Sequence, residues 1–186
     1  MTKSTHGLKK PELKTVLSSD AIQKMVAKLA AEISSHYEKI LSAEEELLVV
    51  ITLKGAFLFA ADLVRRITPP CKVDFVRVSS YGSQTISSGS VRIVKDIEMS
   101  VQGRHVLVLD EIIDTGRTLK FLLERLKASG PKSLKTCTLL NKPSRREVPL
   151  TPDFVGTEVA DQFLVGYGLD FNEKYRHLGE IYVIDP

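Results

Sequence analysis

The sequence has little cysteine, no long hydrophobic run and a small net charge. Its two cysteines, Cys71 and Cys137, lie far apart and without metal-type spacing, which argues against a disulfide framework. No window approaches the roughly 18 apolar residues of a membrane span, and residues 1–6 lack the apolar core of a secretion signal. We therefore expect a protein of the reducing cytoplasm that is neither secreted nor inserted in a membrane.

The charged residues are not concentrated in any one part of the sequence. The net charge is +3, and the basic doublets Lys9-Lys10, Arg65-Arg66 and Arg145-Arg146 are scattered along the chain, so no nucleic-acid surface is predicted. A G-x-x-x-x-G-K-[ST] loop is missing, which disfavours a nucleotide triphosphatase. With 186 residues, 43% of them hydrophobic, and no internal repeat or linker, the chain is predicted to form one domain over residues 1–186.

Strand and helix patterns alternate along the chain. Ile22, Val26, Leu29 and Ile33 keep helical spacing, which predicts a helix over residues 19–40 capped by Ser18, Ser19 or Asp20. Apolar or β-branched runs predict strands near residues 47–53, 73–78, 91–94, 106–109, 134–140, 154–165 and 182–184, and apolar stripes predict helices near residues 56–64 and 119–126. This alternation predicts an α/β fold, a mainly parallel twisted sheet with helices on both faces.

One turn has the chemistry of an anion site. The strand Val106–Leu109 is followed by Asp114, Thr115, Gly116, Arg117 and Thr118, and a helix begins there. Amide groups at a helix start can converge on an anion, glycine permits close approach, and the hydroxyls and the guanidinium add donors. A monophosphate is the predicted guest.

Two carboxylates precede this turn, and they require a different kind of ligand. Asp110 and Glu111 would repel a bare phosphate, whereas a ribose diol or a hydrated Mg²⁺ would suit them. On residue type alone they could also be ordinary strand-end charges in solvent. Phosphate, ribose and metal together describe a phosphoribosyl ligand.

The run from Asp110 to Leu119 resembles the phosphoribosyl pyrophosphate (PRPP) signature of type I phosphoribosyltransferases, in their 6-oxopurine (hypoxanthine-guanine) branch. It departs once, because the family usually has Glu then Asp at the first two positions. The similarity extends from Leu13 to Ile184. It implies the type I phosphoribosyltransferase fold: a core of roughly residues 40–160, a small hood formed by the N-terminal segment and roughly residues 160–186, and a mobile lid loop.

The resemblance also implies where PRPP binds. Leu53, Lys54 and Gly55 match a first loop whose amides meet pyrophosphate, with a cis bond between Leu53 and Lys54. Taken alone, Lys54 reads as a solvated charge at a strand end. The Ser/Gly-rich residues 79–90 read alone as a surface loop, but Ser80 and Tyr81 match the start of the lid. Arg176 would reach the pyrophosphate, and the remaining PRPP-binding residues would be Asp110, Glu111, Asp114, Thr115, Gly116, Arg117 and Thr118.

A second group of residues matches the family's base-binding region. Lys142 would donate to the purine 6-oxo oxygen, Phe163 would stack on the ring and Leu164 would offer backbone groups to its edge. Alone, Lys142 reads as a surface lysine and Phe163 as a core residue. Asp170 would join Asp110 and Glu111 as a ligand of Mg²⁺, the implied cofactor. Asp114 would be the general base.

The implied activity is purine salvage, in which hypoxanthine and/or guanine reacts with PRPP to give IMP or GMP and pyrophosphate. The resemblance further implies a homodimer or homotetramer, and it involves no nucleic acid and no membrane. Alternatives are a non-catalytic PRPP-binding regulatory protein and a phosphoribosyltransferase for xanthine, adenine or uracil. Lys142 argues against adenine, while the choice among hypoxanthine, guanine and xanthine stays open.

Overall fold

The structure is a computed structural model that describes residues 13–80 and 91–184. Within those ranges the strands are β1 (Lys14–Leu17), β2 (Leu47–Thr52), β3 (Cys71–Ser80), β4 (Val91–Lys95), β5 (His105–Ile113), β6 (Ser133–Asn141), β7 (Phe154–Glu158), β8 (Leu164–Val165) and β9 (Ile181–Val183). The helices are α1 (Ser19–Tyr37), α2 (Phe57–Val64) and α3 (Arg117–Ala128), with a 3₁₀ turn at Pro143–Arg145.

The main sheet has six strands in the order β4-β3-β2-β5-β6-β7. Its pairs are parallel except for β3 with β4, which are antiparallel. In β2, Val49 and Ile51 join the core that holds α1 and α2, whereas Leu48 and Val50 join the core that holds α3. Helices therefore cover both faces, as the unbroken apolar run predicted, and the predicted fold class is confirmed.

The first helix follows its predicted start more closely than its predicted end. The Ser18 hydroxyl accepts a hydrogen bond from the Ala21 amide at 3.3 Å and caps α1, which confirms one of the expected caps. The helix ends at Tyr37 rather than near residue 40. The amides of Lys39 and Ile40 bond to carbonyls three residues back, so the chain tightens into a turn there.

A second sheet joins the two ends of the chain. Its strand order is β1-β9-β8, and both pairings are antiparallel. The terminal segments thus meet as the hood prediction required. The sequence patterns missed β1, because Lys14, Thr15 and Val16 are exposed and carry no buried apolar alternation.

The strand β3 extends further than the sequence predicts. Composition predicts a loop from residue 79, but Ser79 and Ser80 belong to β3 and pair with Arg92 and Val91, since strand pairing depends on the partner as well as on composition. The predicted lid begins at that point, and residues 81–90, including Tyr81, lie outside the described residues. Across the described ranges, none of the helices is both long and apolar enough to cross a membrane.

The topology decides where a ligand can sit. From β2 the chain moves outward to β3, whereas from β5 it moves the other way to β6 and β7. Adjacent strands that lead in opposite directions leave a crevice beyond their carboxyl ends, which is the usual ligand position in open α/β sheets. The carboxyl ends of β2, β5 and β6 carry most of the predicted site residues.

Candidate active site

The turn between β5 and α3 has the predicted anion-binding form. Gly116 has φ +81 and precedes α3, and as a glycine it offers no capping side chain to the amides of the first helical turn. The Thr115 hydroxyl accepts from the Arg117 amide at 3.4 Å. A cavity of about 110 Å³ lies over the turn, lined in part by Asp110, Asp114 and Thr118. The arrangement suits a phosphate-sized anion.

Arg117 contributes less to this turn than its sequence position suggests. Its guanidinium Nε lies 2.5 Å from Glu147 Oε2, and the Arg117 side chain is 53% exposed. The Glu147 amide in turn donates to the Thr115 carbonyl at 3.0 Å. The charge of Arg117 is therefore neutralised on the outer side of the turn.

The two acids of β5 are held differently. Asp110 Oδ1 accepts from the Thr52 hydroxyl at 2.7 Å and from the Glu111 amide at 3.1 Å. Burial raises the pKa of Asp110. Burial and then the neighbouring Asp110 charge raise the pKa of Glu111 well above its usual value. The pair thus forms a poorly solvated acidic site that a hydroxyl donor or a cation would stabilise.

The first loop, residues 53–55, packs against Glu111. The Leu53–Lys54 peptide bond is cis, which confirms that expectation. A Cβ atom on Gly55 would lie 1.9 Å from Glu111 Oε1, and a Cβ atom on Gly168 would lie 1.9 Å from the Gly55 carbonyl oxygen. Glu111, Gly55 and Gly168 are therefore stacked without room for a side chain at either glycine.

The cations expected near pyrophosphate are paired with acids of the hood. Lys54 Nζ lies 2.9 Å from Glu173 Oε2, and this pair lowers the pKa of Glu173. Arg176 Nη2 lies 2.8 Å from Asp170 Oδ1 and 3.4 Å from Glu173 Oε2, while its Nη1 donates to the Gly168 carbonyl at 2.8 Å. Lys54 and Arg176 are thus brought together through Glu173.

The predicted metal ligands do not form one cluster. Asp170 is occupied by Arg176, and its Oδ2 accepts from the Glu173 amide at 2.8 Å. Asp110 and Glu111 stand together on β5. Among the described residues, no group of three or more His, Cys, Asp or Glu side chains is arranged to hold a metal ion. Asp110, Glu111 and Asp170 stay predicted ligands of Mg²⁺, and in this structure Asp170 is ion-paired with Arg176.

A second cavity, of about 180 Å³, lies beside the first and shares Ile112 and Asp114 with it. Its other lining residues are Glu111, Lys142, Phe163, Leu164, Leu169 and Asp170. The predicted purine-binding residues Lys142, Phe163 and Leu164 are therefore brought to one place, together with Asp170, which the resemblance also assigns to the base-binding region.

The predicted purine-binding residues differ in burial and in their contacts. Lys142 is buried rather than on the surface, and its Nζ donates to the Gln162 carbonyl at 2.7 Å. Phe163 is 43% exposed, and its ring meets that of Phe171 edge to face at 5.4 Å. Leu164 is buried in β8, paired with Val183. An exposed aromatic face beside a fixed ammonium fits a flat, polar ring system.

Asp114 stands between the two cavities and has a partner that the sequence did not suggest. Arg145 Nε donates to Asp114 Oδ1 at 3.0 Å, and Arg145 Nη1 lies 3.6 Å from Asp161. The Arg145–Asp114 pair is open to solvent, at 47% and 43% exposure of the side chains. A ligand donor can therefore reach the Asp114 carboxylate.

Several site residues escaped sequence reasoning. Thr52 supports Asp110, Gly168 supports Gly55, and Asn141, Arg145 and Arg146 surround the turn. Their positions follow from contacts between distant parts of the chain. The signal that could have found two of them was the Arg145-Arg146 doublet three residues after Lys142, which read as scattered surface charge.

Comparisons with known proteins show which family the chain resembles. The model of the phosphoribosyl transferase domain family matches residues 12–172. The hypoxanthine-guanine phosphoribosyltransferase of Aquifex aeolicus is 48% identical over 174 residues, covering 94% of this chain and 96% of that protein. The Bacillus subtilis enzyme of the same name is 46% identical over 173 residues, covering 93% of each. The crystal structure of a Staphylococcus aureus hypoxanthine phosphoribosyltransferase matches with a TM-score of 0.86 at 38% identity, covering 93% of this chain and 91% of that one.

Proposed function

The chain belongs to the phosphoribosyltransferase family, in its hypoxanthine-guanine branch, and on that premise we propose that it transfers the 5-phosphoribosyl group of PRPP to N9 of a 6-oxopurine. The C1′–N9 bond forms, the bond from C1′ to the pyrophosphate oxygen breaks, and the products are IMP or GMP and pyrophosphate. The reaction is a step of purine salvage.

The observation that carries this proposal is the pair of adjoining cavities at the switch point of the sheet. One lies over the uncapped turn at Gly116, the other holds Lys142 and Phe163, and Asp114 lines both. A ligand with a phosphate at one end and a purine at the other would therefore place its sugar beside Asp110 and Glu111. This support does not depend on the family resemblance.

The chain's own residues would act on opposite charges. As the C1′–O bond breaks, the sugar gains positive charge and pyrophosphate gains negative charge. The amides of the first loop, together with Lys54 and Arg176, would stabilise the leaving group once it displaces their present contacts with Glu173 and Asp170. Asp114 would take or share the purine N7 proton as N9 attacks. Binding both substrates in adjoining cavities would supply the alignment.

We propose Mg²⁺ as the cofactor, held chiefly by PRPP oxygens with the acidic pair as protein support. The desolvated carboxyl groups of Asp110 and Glu111 fit a hard cation, which in phosphate sites uses one or two carboxylates plus substrate oxygens. When bound, the ion would neutralise charge on the pyrophosphate. Asp170 would become available only after Arg176 turns to the pyrophosphate.

Lys142 is proposed to select the purine. Its ammonium is held by the Gln162 carbonyl at 2.7 Å, so it presents further N–H donors to a carbonyl at purine position 6 and none of its atoms can accept from an amino group. We expect Lys142→Met to lower kcat/KM for hypoxanthine by about a hundredfold, because a buried polar contact is lost. Lys127→Met, on the surface of α3, is the control.

The experiment that tests the proposed function is a steady-state assay with PRPP and Mg²⁺ against hypoxanthine, guanine, xanthine and adenine in turn. Turnover of a 6-oxopurine but not of adenine is expected. Turnover of adenine alone would reassign the base. Saturable PRPP binding without turnover of any base would instead indicate a regulatory protein.

We further propose that residues 1–186 act as one domain in the cytoplasm, as a homodimer or homotetramer. Both cysteines are free thiols, which suits a reducing compartment. Phe57, Phe75 and Val94 expose 41%, 38% and 48% of their surface, which a second copy could cover. Light scattering of the purified protein would determine the oligomeric state.

A further inference from the structure

Three arginines surround the turn that the proposed function assigns to the 5′-phosphate. They differ in which acids, if any, contact their guanidinium groups. Arg117 is paired with Glu147, and Arg145 is paired with Asp114 and Asp161. Among the described residues, no carboxylate lies within ion-pair distance of Arg146. Two of the three arginines are therefore ion-paired with protein acids, whereas Arg146 is not, and Asp114 acts on its charge only at longer range.

One end of the Arg146 guanidinium is also withdrawn from water. Its Nη1 is buried and has no hydrogen-bond partner among the described residues, and its Nη2 donates to the amide oxygen of Asn141, a neutral acceptor. Burial accordingly lowers the pKa of Arg146. A partly desolvated guanidinium without a contacting carboxylate is costly to the folded protein. An anion bound nearby would offset that cost.

The guanidinium lies directly behind the turn. A Cβ atom placed on Gly116 would be 2.9 Å from Arg146 Nη1 and 3.1 Å from Arg146 Cδ. The side chain therefore packs against Gly116, the residue that precedes α3. In this poorly solvated position a unit charge acts on an anion at the turn more strongly than an exposed one.

From these observations, and resting on the proposed function, we propose that Arg146, and not Arg117, is the cation that determines affinity for the 5′-phosphate. Asn141 is its positioning residue, since it holds Nη2 and leaves Nη1 at the turn. Arg117, at the predicted signature position, acts in solvent and contributes little. Arg146 binds the phosphate moiety of both PRPP and the product nucleotide.

The test compares the binding of GMP and of guanosine by calorimetry, using the full chain. Arg146→Met is expected to weaken GMP binding ten- to a hundredfold and to change guanosine binding less than twofold. Arg117→Met, the matched control, is expected to weaken GMP binding less than threefold. A larger loss in Arg117→Met than in Arg146→Met would overturn the proposal, as would equal losses for GMP and guanosine in Arg146→Met.

A second variant keeps the test decisive if Arg146→Met does not fold. Asn141→Asp preserves the shape of the residue and gives Arg146 a carboxylate partner, so the guanidinium stays in place with its charge neutralised. About a tenfold loss of GMP affinity, with guanosine affinity unchanged, is expected. Unchanged GMP affinity in a folded Asn141→Asp protein would overturn the proposal. If the wild-type protein fails to bind GMP, both the role of Arg146 and the proposed function are overturned. If it binds GMP but turns over no base, only the proposed function is overturned.

Discussion

A side chain at Gly55 would collide with the carboxylate of Glu111, because a Cβ atom there would lie 1.9 Å from Glu111 Oε1. The three nearest atoms all belong to the end of the Glu111 side chain, which can swing away. Space at this point is therefore shared between the first loop and the acidic pair. A change at Gly55 would affect the site before it affected the fold.

We expect Gly55→Ala to cost less than about 1 kcal/mol of stability, because a flexible carboxyl can move, and to lower kcat/KM for PRPP roughly a hundredfold, because the displaced Glu111 no longer meets the ribose. Kinetics and chemical denaturation would measure the two effects. Gly179→Ala is the control, since a Cβ there has no atom within 4 Å. Wild-type kcat/KM in Gly55→Ala would contradict the assignment of Glu111.

Gly168→Ala should behave in the opposite way. Its Cβ would meet the Gly55 carbonyl oxygen at 1.9 Å, and Gly168 has φ +100, so both the contact and the backbone conformation oppose a side chain. Because backbone cannot swing aside, we expect a loss of about 2 to 4 kcal/mol in the free energy of unfolding. A loss as small as that of Gly179→Ala would show that the stacking of Gly168 on Gly55 is loose.

The raised pKa of Glu111 makes stability depend on pH. Since the folded protein holds this proton more tightly than the unfolded chain, the stabilisation is complete below the unfolded-state pKa of about 4.3 and is lost as pH rises through the folded-state pKa. Glu111→Gln removes this titration. We expect it to equal wild type in free energy of unfolding near pH 4 and to exceed it by on the order of 1 kcal/mol at pH 8.

Urea denaturation at several pH values would measure the difference, with Glu124→Gln on the surface of α3 as the control. PRPP binding by Glu111→Gln should weaken at the same time. In the wild-type protein this acid serves the site and lowers stability, so removing it should stabilise the fold and impair binding. A stability difference between Glu111→Gln and wild type that does not change from pH 4 to pH 8 would refute the buried-acid interpretation.

Asp114 is the candidate base, and its replacement should separate binding from chemistry. We expect Asp114→Asn to keep PRPP affinity within about threefold and to lower kcat by two to four orders of magnitude, the usual contribution of a positioned base. Calorimetry and single-turnover kinetics would report the two quantities. Near-normal turnover would remove Asp114 from this role and leave its contact with Arg145 as a structural one.

Glu173 is expected to restrain the pyrophosphate cations. It contacts both Lys54 Nζ, at 2.9 Å, and Arg176 Nη2, at 3.4 Å. Because pyrophosphate must compete for these groups, Glu173→Gln should tighten pyrophosphate binding about three- to tenfold. The pair is exposed, so stability should change little. Weaker pyrophosphate binding in the variant would mean that Glu173 orients the two cations instead of restraining them.

The elements that were predictable from sequence are those whose pattern lies within one short segment. The unbroken apolar run of β2 predicts burial on both faces, and the spacing of Ile22, Val26 and Leu29 predicts one buried helical face. The turn at Gly116 contains, within a few residues, the groups that bind an anion. The exposed strand β1 and the serine end of β3 have no such pattern. Their pairing partners, and not their composition, make them strands.

The sequence by itself determined the α/β class, the anion-binding turn and, through the run from Asp110 to Leu119, the family. Only the tertiary structure decided which charges in the site are free. Arg117 is neutralised by Glu147 and Asp170 by Arg176, whereas Arg146 has a buried Nη1 and, among the described residues, no ion-pair partner. A charge depends on its solvation and on its neighbours in space, and these come from segments far apart in the chain, which no local pattern records.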